Sequence, residues 1–107
     1  MKNKSVVIVC GDPKSTFNEI LIKTLKNKVS RNLTFSIIII CSRKLFENEL
    51  KKHKLKIKLH NYENQNNLLK DNFYIVDIPI SSKNLSLIKV NEYIKKSFEK
   101  GLNLLKE

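Results

Sequence analysis

Few residues in this 107-residue chain have types and spacings that do chemistry. The clearest group is Gly11-Asp12-Pro13 followed by Glu19, directly after the apolar run Ser5 to Cys10. A strand that ends in such a turn and runs into a helix presents backbone N–H groups suited to phosphate or carboxylate. The loop is not a dinucleotide fingerprint, since it has one glycine where that pattern needs three. Nor is it a P-loop, because Lys14-Ser15 lacks the preceding glycine-rich arc. Ser15 and Thr16 have a sufficient role as helix caps. Cys10 stands near a helix start, where a thiol pKa can be depressed. No histidine is near it in sequence, so Cys10 and Cys41 read as buried core thiols. His53 and His60 fit no zinc-ligand spacing and read as surface histidines without a metal.

These residues need elements to hold them. Ser5 to Cys10 (SVVIVC) is β-branched and apolar almost throughout, which predicts a strand buried on both faces, as in a parallel sheet. Thr16 and Glu19 have capping-box spacing, and Phe17, Ile20, Leu21, Thr24, Leu25 and Lys28 then recur at helical intervals, predicting a helix from about 17 to 28. Phe35 to Cys41 (FSIIIIC) predicts a second buried strand. Ser42 can cap the next helix, with Leu45, Phe46, Glu49, Leu50 and His53 on one face. Lys54 to His60 alternates lysine with apolar residues, predicting a half-exposed edge strand guarded by its lysines. Asn61 to Asn72 is an asparagine-rich polar loop, and Phe73 to Ile80 is a further strand. Leu87, Val90, Tyr93, Ile94, Phe98, Leu102 and Leu105 follow at spacings of three and four, predicting a long amphipathic helix with Gly101 inside it. The alternation predicts an α/β fold, a mostly parallel sheet flanked by helices.

Size and composition bound the rest. A domain of this length buries about 65% of its unfolded surface, which allows one core and a single α/β unit over residues 1–107. Hydrophobic residues make up 41% and charged residues 29%, an ordinary globular balance. No apolar run approaches a membrane span, and the N-terminus lacks a signal-peptide pattern, so no membrane is expected and the cytoplasm is. The net charge of +11 raises the question of nucleic acid. Yet lysine outnumbers arginine 19 to 2, beside 13 isoleucines and 13 asparagines. That is the signature of AT-rich codons, and arginine, the better phosphate fork, is scarce. A solvated lysine coat is the simpler reading, and nucleic acid is not the expected partner.

The segment Val6 to Pro13, five further residues and then Glu19-Ile20 resembles, without a gap, the N-terminus of the 4-hydroxythreonine-4-phosphate dehydrogenase family of pyridoxal phosphate biosynthesis. Gly11, Asp12, Pro13 and Glu19 fall on that family's Gly, Asp, Pro and Glu. The strand ending in Cys41, the helix carrying Leu45, the Phe73 to Pro79 strand and the helix from Val90 resemble its layout. The resemblance implies the first part of an isocitrate/isopropylmalate dehydrogenase-type fold. It also implies that Gly11, Asp12 and Glu19 belong to a cofactor-binding loop of a homodimeric oxidoreductase using NAD and a divalent metal. The chain departs from the pattern where Lys14-Ser15-Thr16-Phe17-Asn18 replaces Ala-Gly-Ile-Gly-Pro, because Ser15 and Phe17 obstruct a close backbone approach. The family's enzymes are also about three times longer, and their metal histidines lie in segments with no counterpart here.

Three expectations follow. The first is the N-terminal portion of a larger two-lobed dehydrogenase, inactive alone and holding neither NAD nor metal by itself. A missing C-terminal portion or companion chain would dock on apolar surface exposed on the final helix or an outer strand. The second is a small basic α/β module that binds nucleic acid or another anion through Lys51, Lys52, Lys54, Lys56 and Lys58. The third is a self-contained protein using the loop from Gly11 to Glu19 for a nucleotide or phosphate.

Overall fold

The computed structural model describes residues 5–11, 17–28, 35–63, 68–69, 72–80 and 86–106, without the side chains of 17, 18 and 25–28. In chain order the elements are β1 (Ser5–Val9), α1 (Phe17–Lys28), β2 (Ser36–Cys41), α2 (Arg43–Lys52), β3 (Leu59–Asn61), β4 (Phe73–Asp77) and α3 (Leu87–Leu105). The four strands form one sheet in the order β1-β2-β4-β3. All three pairings are parallel, with Ser5 opposite Ser36, Ile37 opposite Phe73, and Leu59 also opposite Phe73. The α/β class read from the alternation of elements therefore holds. None of the described helices is long and apolar enough to cross a membrane.

The core follows from the two-residue period of the strands. On one face Ile8, Cys10, Ile37, Ile39, Cys41 and Ile75 pack with Leu21 and Ile22 of α1 and Phe46 and Leu50 of α2. On the other face Val7, Val9, Ile38, Ile40, Tyr74 and Val76 gather with Leu104 of α3. β2 is the axis of the molecule, since every residue from Ser36 to Cys41 is buried. Four successive isoleucines there bury about 1.5–3 kcal/mol each of transfer free energy. Truncating Ile39, fully buried between helices, to alanine would cost about 2–5 kcal/mol.

Several boundaries and faces differ from expectation. Lys54, Lys56 and Lys58 are exposed and Leu55 and Ile57 pack against the core, but only Leu59–Asn61 joins the ladder. The reason lies in how α2 ends. His53 is its C-cap, Lys54 takes the left-handed conformation (φ 54°), and Leu55 N–H donates back to Leu50 O at 2.9 Å. This Schellman-type close leaves residues 55–58 ahead of the ladder, because Leu59 already stands opposite Phe73, the first residue of β4. The strand expected over Phe73 to Ile80 ends at Asp77; Ile78 N–H still reaches Cys41 O at 3.0 Å, and Pro79 has no N–H to continue. Between β3 and β4, Tyr62 and Leu68 pack on the face that α3 also covers.

β1 was expected to be buried on both faces, but it stands at the sheet edge and is only half-buried. The helical face of α3 is also shifted. The buried residues are Val90, Tyr93, Ser97, Gly101 and Leu104, while Leu87, Phe98, Leu102 and Leu105 are exposed. Gly101 decides this rotation. A Cβ on it would lie 2.9 Å from Val9 Cγ2, so the bare glycine lets α3 settle closely on β1. The expected exposure of apolar surface on the final helix and an outer strand is therefore present.

Candidate functional site

In an open parallel sheet, ligands meet the carboxyl ends of the strands. Here those ends bring together Cys10 and Gly11 after β1, Cys41 at the end of β2 with Ser42 after it, Asp77 at the end of β4 and Asn61 at the end of β3. Cys41 lies opposite Asp77 in the register. Cys10 N–H donates to Ile40 O at 3.2 Å, which extends the ladder by one residue beyond Val9.

The polar groups of this edge are engaged with one another. Ser42 caps α2, its Oγ accepting from Leu45 N–H at 3.4 Å. Ser42's own N–H donates to the Tyr93 hydroxyl at 2.6 Å. The next N–H, that of Arg43, donates to Asp77 Oδ1 at 2.9 Å. A carboxylate at a helix N-terminus is stabilised by the helix dipole. Asp77 thus occupies the place at the start of α2 that a phosphate would take. The Arg43 guanidinium reaches the other way: Nη1 donates to Asn61 Oδ1, Nη2 to Leu59 O at 3.4 Å, and Nε lies 3.4 Å from Glu47 Oε1.

Beneath this layer the Cys10 and Cys41 thiols are buried and hydrogen-bonded to each other. That bond, followed by burial, pushes the Cys41 thiol well above its ordinary value. Burial likewise raises the Tyr93 phenol, although the Ser42 N–H bond works the other way. Both groups are held neutral, which opposes nucleophilic work by Cys41.

Of the three residues expected to form a cofactor loop, Gly11 and Glu19 are described. Gly11 is at the end of β1 in the left-handed region (φ 70°), with open space where a Cβ would be. Asp12 lies outside the described residues, as does Thr16, the expected capping partner of Glu19. Glu19 forms an ion pair with Lys23 one turn along α1, at 3.2 Å. The hydrogen bond and charge of Lys23 hold its carboxyl below the usual range, with smaller contributions from His53 and Lys52 of α2.

The histidines stand apart from this edge. His53, expected at the surface, is half-buried, its Nε2 3.6 Å from Glu49 Oε2. His60 lies against Tyr74, with ring centroids 5.6 Å apart. Among the described residues no group of three or more His, Cys, Asp or Glu side chains is placed to hold a metal. Among the described residues, the start of α2 is closed by the Asp77 carboxylate, which accepts from the Arg43 N–H.

Tyr93, Asp77 and Arg43 were not read from the sequence as members of this cluster. The one available signal was Asp77, a carboxylate closing an otherwise apolar strand (FYIVD) at the end where ligands or helix N-termini are met. No protein-family model matches this chain, and no curated protein matches it in sequence.

Proposed function

We propose that this chain is the N-terminal part of an NAD-dependent 4-hydroxythreonine-4-phosphate dehydrogenase-like protein, inactive alone and completed by a further polypeptide segment. The observation that carries the reading is Gly11. It stands at the carboxyl end of the first strand of an all-parallel sheet in the left-handed conformation that favours glycine. That is where the resembling Gly-Asp-Pro turn would need it. The inactivity is supported by the neighbouring edge, where the Ser42 N–H is spent on the Tyr93 hydroxyl and the Arg43 N–H on the Asp77 carboxylate.

The test is a mixing experiment. The purified chain, given NAD, a divalent cation and phosphorylated hydroxythreonine, forms no NADH. Adding a separately produced C-terminal portion of a dehydrogenase of that family restores turnover. Steady turnover by the chain alone, or none from the mixture, overturns the reading.

A second reading is a basic module that binds nucleic acid or another anion. It is favoured by Lys51, Lys52, Lys54, Lys56 and Lys58, which are all exposed where α2 leads into β3. No aromatic side chain lies among those lysines to stack a base, which disfavours single strands. Retention on nucleic acid that falls steeply with salt would support it, and no retention at about 50 mM salt would remove it.

A further inference from the structure

We propose that the outer edge of β1 and the overhanging flank of α3 form the interface of a two-fold homodimer. In it β1 pairs antiparallel with β1 of a second copy, and the two α3 helices lie side by side. This inference does not rest on the dehydrogenase reading, and it assigns to a second copy the apolar surface that the reading leaves for a C-terminal portion.

The first support is the contrast between the two edges of the sheet. Natural edge strands are shortened, charged, bulged or covered to prevent pairing. β3 shows such devices: it is three residues long, Lys58 precedes it, and Arg43 Nη2 donates to Leu59 O. β1 shows none. Its five residues, Ser5 to Val9, contain no charge and no proline. Among the described residues nothing pairs with its outer side. Val6 is 43% exposed on the face that α1 and α2 cover.

The second support is α3. Its exposed apolar residues Phe98, Leu102 and Leu105 adjoin the buried face of the helix and overhang the β1 side. With Ser5, Val7 and Val9 they line a groove of about 420 Å³. These three side chains are 52%, 60% and 73% exposed, too much apolar surface in one stripe for a helix flank meant for water.

The geometry points to a second copy as the occupant. α3 lies over β1 and β2 alike, so its axis runs about half a strand spacing inside β1. A two-fold axis midway between paired β1 strands lies half a spacing outside. With strands about 4.8 Å apart, the two α3 axes come roughly 10 Å from each other, at the upper end of the 8–10 Å of packed helices. One operation therefore closes both the strand edge and the helix flank. Centred on Val7, the pairing sets Ser5 against Val9 and Val6 against Ile8, an uncharged and self-complementary strip. A lone added strand would fill the edge but leave the outer side of Leu102 in water.

The test is sedimentation equilibrium on the full chain. The 12.5 kDa chain is expected to sediment at twice its mass. The double variant Phe98→Glu/Leu102→Glu, at positions already more than half exposed, keeps its far-ultraviolet circular dichroism. Its dimer dissociation constant rises at least about tenfold, the effect of losing one apolar anchor. Leu105→Glu is a second variant with the same expected outcome. In the wild type, hydrogen exchange at the outward amides of β1 is slow, and it accelerates in the variants. A wild-type monomer up to about 0.1 mM, well above the range of specific interfaces, overturns the proposal and leaves the groove to a different partner. So does a dimer indifferent to these substitutions, or fast exchange along β1 in the wild type.

Discussion

The backbone N–H of Ser42 donates to the phenol oxygen of Tyr93 at 2.6 Å. The bond joins the start of α2, on one face of the sheet, to the middle of α3 on the other. Ser42 and Tyr93 are both buried, so no water is at hand to replace the partner.

Tyr93→Phe keeps the ring and removes the acceptor. The orphaned N–H carries a desolvation penalty of about 1–3 kcal/mol. The expected outcome is a lower urea midpoint with an unchanged slope. A variant as stable as the wild type would show that the bond contributes nothing.

Alkaline pH acts through the same residue and through Cys41. Both have folded pKa values raised above their unfolded values, which are 10.0 and 9.0. The unfolded chain therefore loses its protons first. The contribution is fully present below those values and is lost as pH rises above about 9 to 10. Urea midpoints are expected to fall over that range, less steeply in Tyr93→Phe. Native-state alkylation of Cys10 and Cys41 should be slow, limited by opening of the core, and rapid labelling would contradict the buried thiol pair.

Asp77→Ala removes the carboxylate that accepts from Arg43 N–H. Losing a cap at a helix N-terminus costs about 0.5–2 kcal/mol. The vacated position regains the anion preference of a helix start. Sulfate should therefore stabilise the alanine variant more than the wild type, read as a larger shift in melting temperature at equal ionic strength.

Lys54→Gly tests the end of α2. A side chain in the left-handed region costs about 1 kcal/mol that glycine avoids. Glycine's greater unfolded-state freedom returns part of this, so a gain of roughly 0.5 kcal/mol in chemical denaturation is expected. A loss would mean that the Lys54 stem packs on the protein.

How much of this was legible depends on range. The apolar runs of β1, β2 and β4 and the Ser42 cap are local signals, and they placed the elements correctly. The buried face of α3 was missed because Ser97 and Gly101 do not look like core residues. Gly101 lies on it because no side chain fits where the helix meets Val9, and the buried Ser97 hydroxyl is satisfied by donating to Tyr93 O. β1 has the composition of a central strand, and only pairing order made it an edge. The Tyr93–Ser42 bond spans the chain from its middle to near its end, and no local pattern announces such a partner. Lys54 hid the helix end because glycine is the usual mark of a left-handed close.

The strand order also sets a sequence of events in time. Among the described residues β3 pairs with β4 alone, which is synthesised after it. As the chain leaves the ribosome, β1 and β2 can join early, but β3 must wait, unpaired, until β4 takes its place beside β2. Each pairing joins segments distant along the chain, which slows folding. The short, lysine-flanked character of β3 then has a second use: it keeps the waiting strand from pairing with a neighbouring nascent chain.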